Sequence, residues 1–258
     1  GSDMSAGIGA GSATGRDQLG MRSYWDSKAR ENAMYFIHNT LDYTQTDEGA
    51  FWESGPDNLE RTLAPFSRKI LAADRVVEIG CGIGRITRAI AMRAAHVVGV
   101  DVSHEMIQRA RLALADLDNV DLMVGNGLDL GGVDDASVDV AYSFIVFQHI
   151  PDPSITCGYI REIGRVLRPG GWTVFQVSEL PEIHRRDTWV EGAGITSNVR
   201  QVLSGALRRR PRGCLAPQWL GSAVDRAELL GALDDGGLVF DDSVGDGSQF
   251  CLVNAHRQ

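Results

Sequence analysis

Lysine is nearly absent from this chain: Lys28 and Lys69 are the only two, against 34 acidic residues and a formal net charge of −9. With 25 basic residues, nearly all arginine, outnumbered by the acidic ones, a net charge of −9 argues against a nucleic-acid partner held through its phosphates by a broad basic face. No run of about 18 apolar residues occurs, so no transmembrane helix and no membrane partner is expected. Cysteine is sparse as well. Cys81, Cys157, Cys214 and Cys251 are scattered without a C-x-x-C pair or metal-ligand spacing, which excludes a disulfide framework and a structural zinc site and fits reduced thiols in a cytoplasmic protein. No signal peptide is expected. Gly1-Ser2-Asp3-Met4 reads as an expression scar, and the Gly/Ser/Ala-rich stretch to about Gly20 is expected to be a disordered tail. The bias to Arg, Ala and Gly points to a GC-rich bacterial source and carries no chemistry. The 258 residues suffice for one well-buried α/β domain with a cap and are too few for two full domains.

What the chain does have is a glycine-rich turn between a strand and a helix. Val76, Val77 and Ile79 form a short β-branched run, and Gly80, Cys81, Gly82, Ile83 and Gly84 turn it into a helix beginning near Arg85. Glycine is required where backbone passes within contact distance of a ligand or takes positive φ. A second apolar strand, Val97 to Val100, ends in Asp101, whose carboxylate can accept from the two hydroxyls of a ribose. The spacing is G-x-G-x-G rather than the G-x-G-x-x-G of dinucleotide sites, and Glu78 stands two residues before the first glycine. A carboxylate there is a poor neighbour for pyrophosphate and a good one for an ammonium or sulfonium centre.

Further along, residues 21–70 read as an N-terminal helical cap, with Tyr24, Trp25, Lys28, Ala29, Ala33, Phe36 and Ile37 at helical spacing. Glu48 to Asn58 reads as a polar connection and Leu59 to Leu71 as a helix. Strands are predicted at 75–79, 97–101, 120–124, 138–143 and 172–178, and helices at 84–94, 103–116, 153–167 and 223–233, followed by two antiparallel strands around Gly245-Asp246-Gly247. Pro169-Gly170-Gly171 is expected to stop a helix before the fifth strand resumes. The polar stretch at about 180–221 reads as a lid inserted over the active site.

The ordered motifs E-x-G-C-G-x-G at Glu78, the acid Asp101, Gly125-Asn126-Gly127 after a strand, V-D-V-A-Y-S-F-I-V-F-Q-H-I from Val138 and R-E-I-G-R-V-L-R-P-G-G from Arg161 together resemble the class I S-adenosylmethionine (SAM) dependent methyltransferases over roughly residues 70–258. The resemblance implies an α/β fold with a Rossmann-like seven-stranded sheet of order 3-2-1-4-5-7-6, its last strand antiparallel, and a SAM-binding domain at 71–258. It implies SAM as cofactor, S-adenosylhomocysteine as product, and cofactor contacts from Glu78, Gly80, Cys81, Gly82, Asp101, Val102, Met106, Asn126, Gly127, Ser143 and Phe144. The acceptor expected is a small molecule methylated on oxygen, a sugar or secondary metabolite, with N-methylation as the near alternative. A nicotinamide oxidoreductase and a non-catalytic SAM-binding module are the rivals from other classes.

Each residue also has a plainer reading. Asp101 could cap the next helix, but Ser103 already serves there. Asn126 could be only a turn residue, since Asn tolerates left-handed backbone. His149 follows the fourth strand and is the candidate catalytic base for a hydroxyl acceptor; otherwise it is a histidine hydrogen-bonded into the fold. His184 in the inserted lid could also face substrate. The aromatic set Tyr24, Trp25, Tyr35, Phe36, Phe51 and Trp52 is read as helix packing more than as a substrate cage. Arg208, Arg209, Arg210 and Arg212 read as a solvated face. Asp241, Asp242 and Asp246 could hold Mg²⁺, yet no ligand set is evident and no metal is assigned. Nothing in the chain points to a particular oligomeric state.

Overall fold

The computed structural model describes residues 13–38, 47–184 and 216–258. Seven strands, β1 Arg75–Ile79, β2 His96–Asp101, β3 Val120–Val124, β4 Val138–Ser143, β5 Leu167–Val177, β6 Leu238–Val244 and β7 Cys251–Arg257, form one sheet in the order β3-β2-β1-β4-β5-β7-β6. The first five are parallel, and β7 runs antiparallel to both β5 and β6. This is the expected topology. β1 is buried on both faces from Val76 onward, as a central parallel strand must be when helices cover both sides. Its alternate residues feed two separate cores. Val77 and Ile79 join Ile160, Ile163 and Phe175 on one face, while Val76 joins Leu59, Leu63, Ile90 and Val140 on the other.

The helices are α1 Ala13–Ile37, α2 Glu48–Leu63, α3 Arg85–Ala91, α4 His104–Ala113, α5 Pro153–Val166, α6 Pro217–Leu220 and α7 Arg226–Asp235. Ser103 caps α4, its Oγ accepting from Met106 N at 3.1 Å, as expected. Asp225 and Glu228 form a capping box on α7. No described helix is long and apolar enough to cross a membrane.

Four boundaries differ from expectation. α1 begins at Ala13, inside the stretch read as a disordered tail to Gly20; residues 1–12 lie outside the described residues. It kinks at Asn32, whose Oδ1 accepts from Tyr35 N at 3.1 Å and so caps a second helical run. The supposed polar connection Glu48 to Asn58 is helical. Asp47 caps α2 by accepting from Ala50 N at 3.0 Å, and the bond lost at Pro56 is outweighed by complete burial of Phe51 and Leu59. α2 then ends at Leu63, well before Leu71, in a short turn closed by Ser67 at φ 53°. β5 starts at Leu167, so Pro169-Gly170-Gly171 lies within an irregular first part of the strand, opposite a register shift between Val138 and Val140. Of the lid expected at 180–221, the structure describes Pro181–His184 and residues 216–221. Residues 185–215, with the arginines 208–212, are outside the described residues.

The strand order reverses between β1 and β4, which opens a crevice at their carboxyl ends. α1 crosses the neighbouring end of β2. Arg22 donates to the carbonyls of Val102 and Gly125 at 3.2 and 3.0 Å, and Asp26 Oδ1 accepts from Ser103 Oγ at 2.6 Å and Glu105 N at 3.1 Å. α2 approaches the first turn of α3 at Gly55, where an added Cβ would sit 2.4 Å from the carbonyl oxygen of Arg85. Gly55→Ala therefore sets a helix-propensity gain of about 0.5–1 kcal/mol against an overpacking cost of about 1–3 kcal/mol on backbone that cannot rotate away. The expected result is a lower melting temperature in thermal denaturation; a rise would show that the two helices separate freely here.

Candidate functional site

The turn after β1 takes its shape from three glycines with positive φ: Gly80 at 76°, Gly82 at 55° and Gly84 at 93°. A Cβ at Gly80 would lie 2.2 Å from Val146 Cγ2, so the turn also needs the missing side chain for packing against the segment after β4. The amides of Gly80 and Cys81 both donate to the Val100 carbonyl, at 2.7 and 3.1 Å. Asp101 completes the tie. Its Oδ2 accepts from Gly82 N and its Oδ1 from Ser103 N, each at 2.9 Å. A carboxylate offers about four acceptor directions, so two remain for a ligand. Burial pushes the Asp101 carboxyl up to about 6 against the lowering effect of those two amides, with the charge of Asp26 adding to the rise.

The turn opens into a cavity walled by α1, the glycine loop, the ends of β1 and β2, and the segment after β4. At one end lie two buried ionisable side chains. Glu78 is 3% exposed and accepts from Thr87 Oγ1 at 2.6 Å; Arg85 is 4% exposed, donates from one terminal nitrogen to Ser54 Oγ at 2.9 Å, and lies 5.6 Å over the Phe51 ring. Arg85 Nε has no hydrogen-bond partner among the described residues. Burial pushes Glu78 up to about 7, opposed by the Thr87 hydroxyl and the Arg85 charge. A buried donor left unpaired is costly unless a ligand fills it, so this end is suited to a group carrying both a carboxylate and an ammonium.

The opposite wall follows β4. Ile145 takes φ 56°, a left-handed conformation that a β-branched residue adopts only under strain. Its amide is held by Oε1 of the fully buried Gln176 at 3.1 Å, and Gln176 Nε2 in turn donates to Gln148 Oε1 at 3.1 Å. The Gln148 amide reaches His149 Nε2 at 3.2 Å. His149 Nδ1 lies 2.9 Å from the Trp219 carbonyl, which can only accept, so Nδ1 carries the proton and Nε2 the lone pair. Enclosure pushes the His149 ring down to about 4, partly offset by the Trp219 carbonyl, so it is neutral at pH 7.

Of the expected residues, Glu78, Gly80, Cys81, Gly82, Asp101, Val102, Met106, Phe144 and His149 line this cavity. Asn126, Gly127 and Ser143 do not. Asn126 spends its amide inside its own turn, accepting from Leu128 N and Asp129 N at 2.8 and 3.0 Å and donating to Asp129 at 2.7 Å. Ser143 Oγ donates to the Ile79 carbonyl at 3.0 Å and ties β4 to β1. His184 is also turned away, with Nε2 2.7 Å from Ser178 Oγ. Of the acids considered for Mg²⁺, Asp241 pairs with Arg68 at 2.9 Å and lies 2.8 Å from His256 Nδ1, Asp246 pairs with Arg226 at 2.9 Å, and Asp242 accepts from Ser243 N at 2.8 Å. Sequence reasoning missed Arg85, although it directly follows the last glycine of the turn. Of the aromatic set read as helix packing more than as a substrate cage, with room for one or two members to do both, Trp25 and Phe36 line the cavity along with Met21 and Ile37 of the same helix.

Native Glu78 keeps a proton that the unfolded chain gives up above its ordinary 4.5, so its contribution to stability is lost as pH rises from about 4.5 to about 7. His149, pushed down from 6.5 to about 4, acts with the opposite sign over that interval and partly masks it. Glu78→Gln removes only the first effect. The ligand-free variant is expected to melt above the wild type at pH 8, by the equivalent of up to about 3 kcal/mol, and to match it near pH 4.5. The same difference at both pH values would contradict a buried proton on Glu78.

Comparison with known proteins agrees with this geometry. Residues 77–175 match the family described as a methyltransferase domain. A ubiquinone biosynthesis O-methyltransferase from Xanthomonas oryzae pv. oryzae (strain PXO99A) is 31% identical over 144 residues, covering 53% of this chain and 59% of that protein. One of the same description from Thiobacillus denitrificans is 31% identical over 110 residues, covering 42% and 46%. The chain thus spans little more than half the length of the curated relatives it matches. Among solved structures, an S-adenosylmethionine dependent methyltransferase from Mesorhizobium loti superposes with TM-score 0.54 at 23% identity, covering 79% of this chain and all of that one. The N-methyltransferase NodS from Bradyrhizobium japonicum WM9, solved with S-adenosylhomocysteine, gives TM-score 0.57 at 15% identity over 92% and 98% of the two chains. At those identities the structures establish a shared fold. Residues 77–175, from the glycine turn through β4 and most of β5, thus match a methyltransferase domain, set in a fold shared with S-adenosylmethionine-dependent methyltransferases.

Proposed function

We propose that this protein transfers the methyl group of SAM to a hydroxyl oxygen of a small-molecule acceptor. The observation that carries the reading is the convergence, in one cavity, of a carboxylate with acceptor positions to spare at Asp101 and a buried acid and cation at Glu78 and Arg85. A ribose diol matches the first and an amino-acid end the second. SAM bound there supplies a methyl group already activated by its sulfonium. Asp101 would accept from the two ribose hydroxyls; Arg85 Nε would donate to the carboxylate; Glu78 would face the ammonium; Met21, Val102 and Met106 would cover the adenine. The match to O-methyltransferases supports oxygen as the attacking atom.

The new O–CH₃ bond forms as the S–CH₃ bond breaks, S-adenosylhomocysteine leaves, and the hydroxyl proton must go to a base or to water. Among the described residues on the wall opposite the glycine turn, His149 Nε2 offers a side-chain nitrogen lone pair once the Gln148 amide yields to an acceptor hydroxyl. A base at about 4 is weak, so most of the rate would come from holding the two reacting atoms at attack distance.

Three outcomes follow. By calorimetry, Asp101→Ala should weaken SAM binding by about 1.5–3 kcal/mol. Arg85→Gln should weaken SAM by tenfold or more and leave 5′-methylthioadenosine, which lacks the amino-acid end, nearly unchanged. Undiminished SAM binding in the first variant removes the basis of the assignment, and equal losses for both ligands in the second make Arg85 a structural residue. In turnover, His149→Ala should keep SAM affinity while kcat drops about 10²-fold and the rising limb of the pH profile disappears. Parallel loss of SAM binding would mark a structural histidine, and a wild-type rate with no rising limb near pH 4 would point to an amine acceptor that enters already neutral or to catalysis by proximity alone.

A further inference from the structure

The cavity wall beyond the cofactor end is built from rings. Trp25 and Phe36 of α1 and His149 of the turn after β4 line it, and Trp219 of α6 packs against all three; the three segments are far apart in sequence. The rings brace one another: Trp25 and His149 at 5.6 Å and 75°, Phe36 and Trp219 at 5.5 Å and 89°, His149 and Trp219 at 5.3 Å and 36°. Edge-to-face contacts of this kind hold each ring at one angle, so the corner is stiff. Ile150 and Val146 extend the apolar lining beside it.

Polar groups are scarce there. Among the described residues lining the cavity, the charged side chains are Glu78, Arg85 and Asp101, all at the end assigned to the cofactor. Among the described residues, the side-chain polar positions on the ring wall are His149 Nε2, with the Gln148 amide behind it, and the indole N–H of Trp25. A monosaccharide brings several hydroxyls, and most of them would lose water against these described side chains without gaining a partner. A flat aromatic ring bearing one or two hydroxyls meets the opposite balance: its faces and edges pack on Trp25 and Phe36, and one hydroxyl reaches His149.

Resting on the cofactor reading above, we infer that the acceptor is a hydroxyarene rather than a sugar, and that Trp25 and Phe36 determine this specificity. α1 is then more than a cover. It supplies the recognition surface for the molecule that is methylated, and it is anchored to the cofactor side through Arg22 and Asp26.

The test uses full-length protein saturated with S-adenosylhomocysteine, whose binding is measured first; its failure to bind would overturn the cofactor reading before any acceptor probe is added. Catechol, 2-naphthol and methyl α-D-glucopyranoside are then titrated by ligand-observed NMR and tryptophan fluorescence. The expected result is saturable binding of 2-naphthol and catechol and none of the glucoside. Trp25→Leu should weaken the arenes by tenfold or more with S-adenosylhomocysteine affinity within twofold of wild type, and Trp25→Phe should recover most of the loss. Phe36→Leu gives the same reading should Trp25→Leu fail to fold. Binding of the glucoside as tight as that of the arenes, or arene binding indifferent to both substitutions, overturns the inference.

Discussion

The Asp101 carboxylate is the clasp on which the site depends. It joins the turn after β1 to the start of α4 through two amides at 2.9 Å, those of Gly82 and Ser103. Without an acceptor there, two enclosed N–H groups would be left unpaired, and the glycine turn would lose its reason to lie against β2. Parallel pairing of β1 with β2 from Arg75↔His96 to Ile79↔Val100 brings the two strand ends level, so that the clasp can close. The cost is a carboxylate enclosed enough to be pushed up to about 6, and the same spot is where a ligand with paired hydroxyls gains most.

Outward from this clasp, the molecule spends polar groups sparingly. Asp26 on α1 bonds Ser103 and Glu105, so the cap is registered on the very turn that Asp101 holds. Gln176 does similar work on the far side. One buried amide holds the strained Ile145 and, through Gln148, orients the acceptor face of His149. The proposed cofactor side and acceptor side are thus built by two separate hydrogen-bonded systems, bridged by the packing of Val146 onto Gly80.

What was legible in the sequence was what backbone requires locally. The glycine turn, Asp101 at a strand end, the Ser103 cap and the antiparallel terminal hairpin are each set within a few residues, and the sheet order was implied by the family resemblance that the ordered motifs carry. What was not legible depends on contacts across the fold. α2 looked like a loop because Gly55 and Pro56 break its pattern, while burial of Phe51 and Leu59 against distant elements overrides local preference. Asn126 occupies a motif position, but its amide is consumed by its own turn, a competition that motif matching does not weigh. Arg85 and Trp25 were visible as residues, and only the tertiary arrangement turns them toward one cavity.

The central claim is that Asp101 receives the ribose of SAM while Arg85 and Glu78 receive its amino-acid end. A crystal structure of the protein with S-adenosylhomocysteine tests it most directly. The account requires both ribose hydroxyls within hydrogen-bond distance of the Asp101 carboxylate and the ligand carboxylate on Arg85 Nε. A ligand bound with its ribose away from Asp101, or with its amino-acid end pointing to the ring wall of Trp25 and His149, would contradict it.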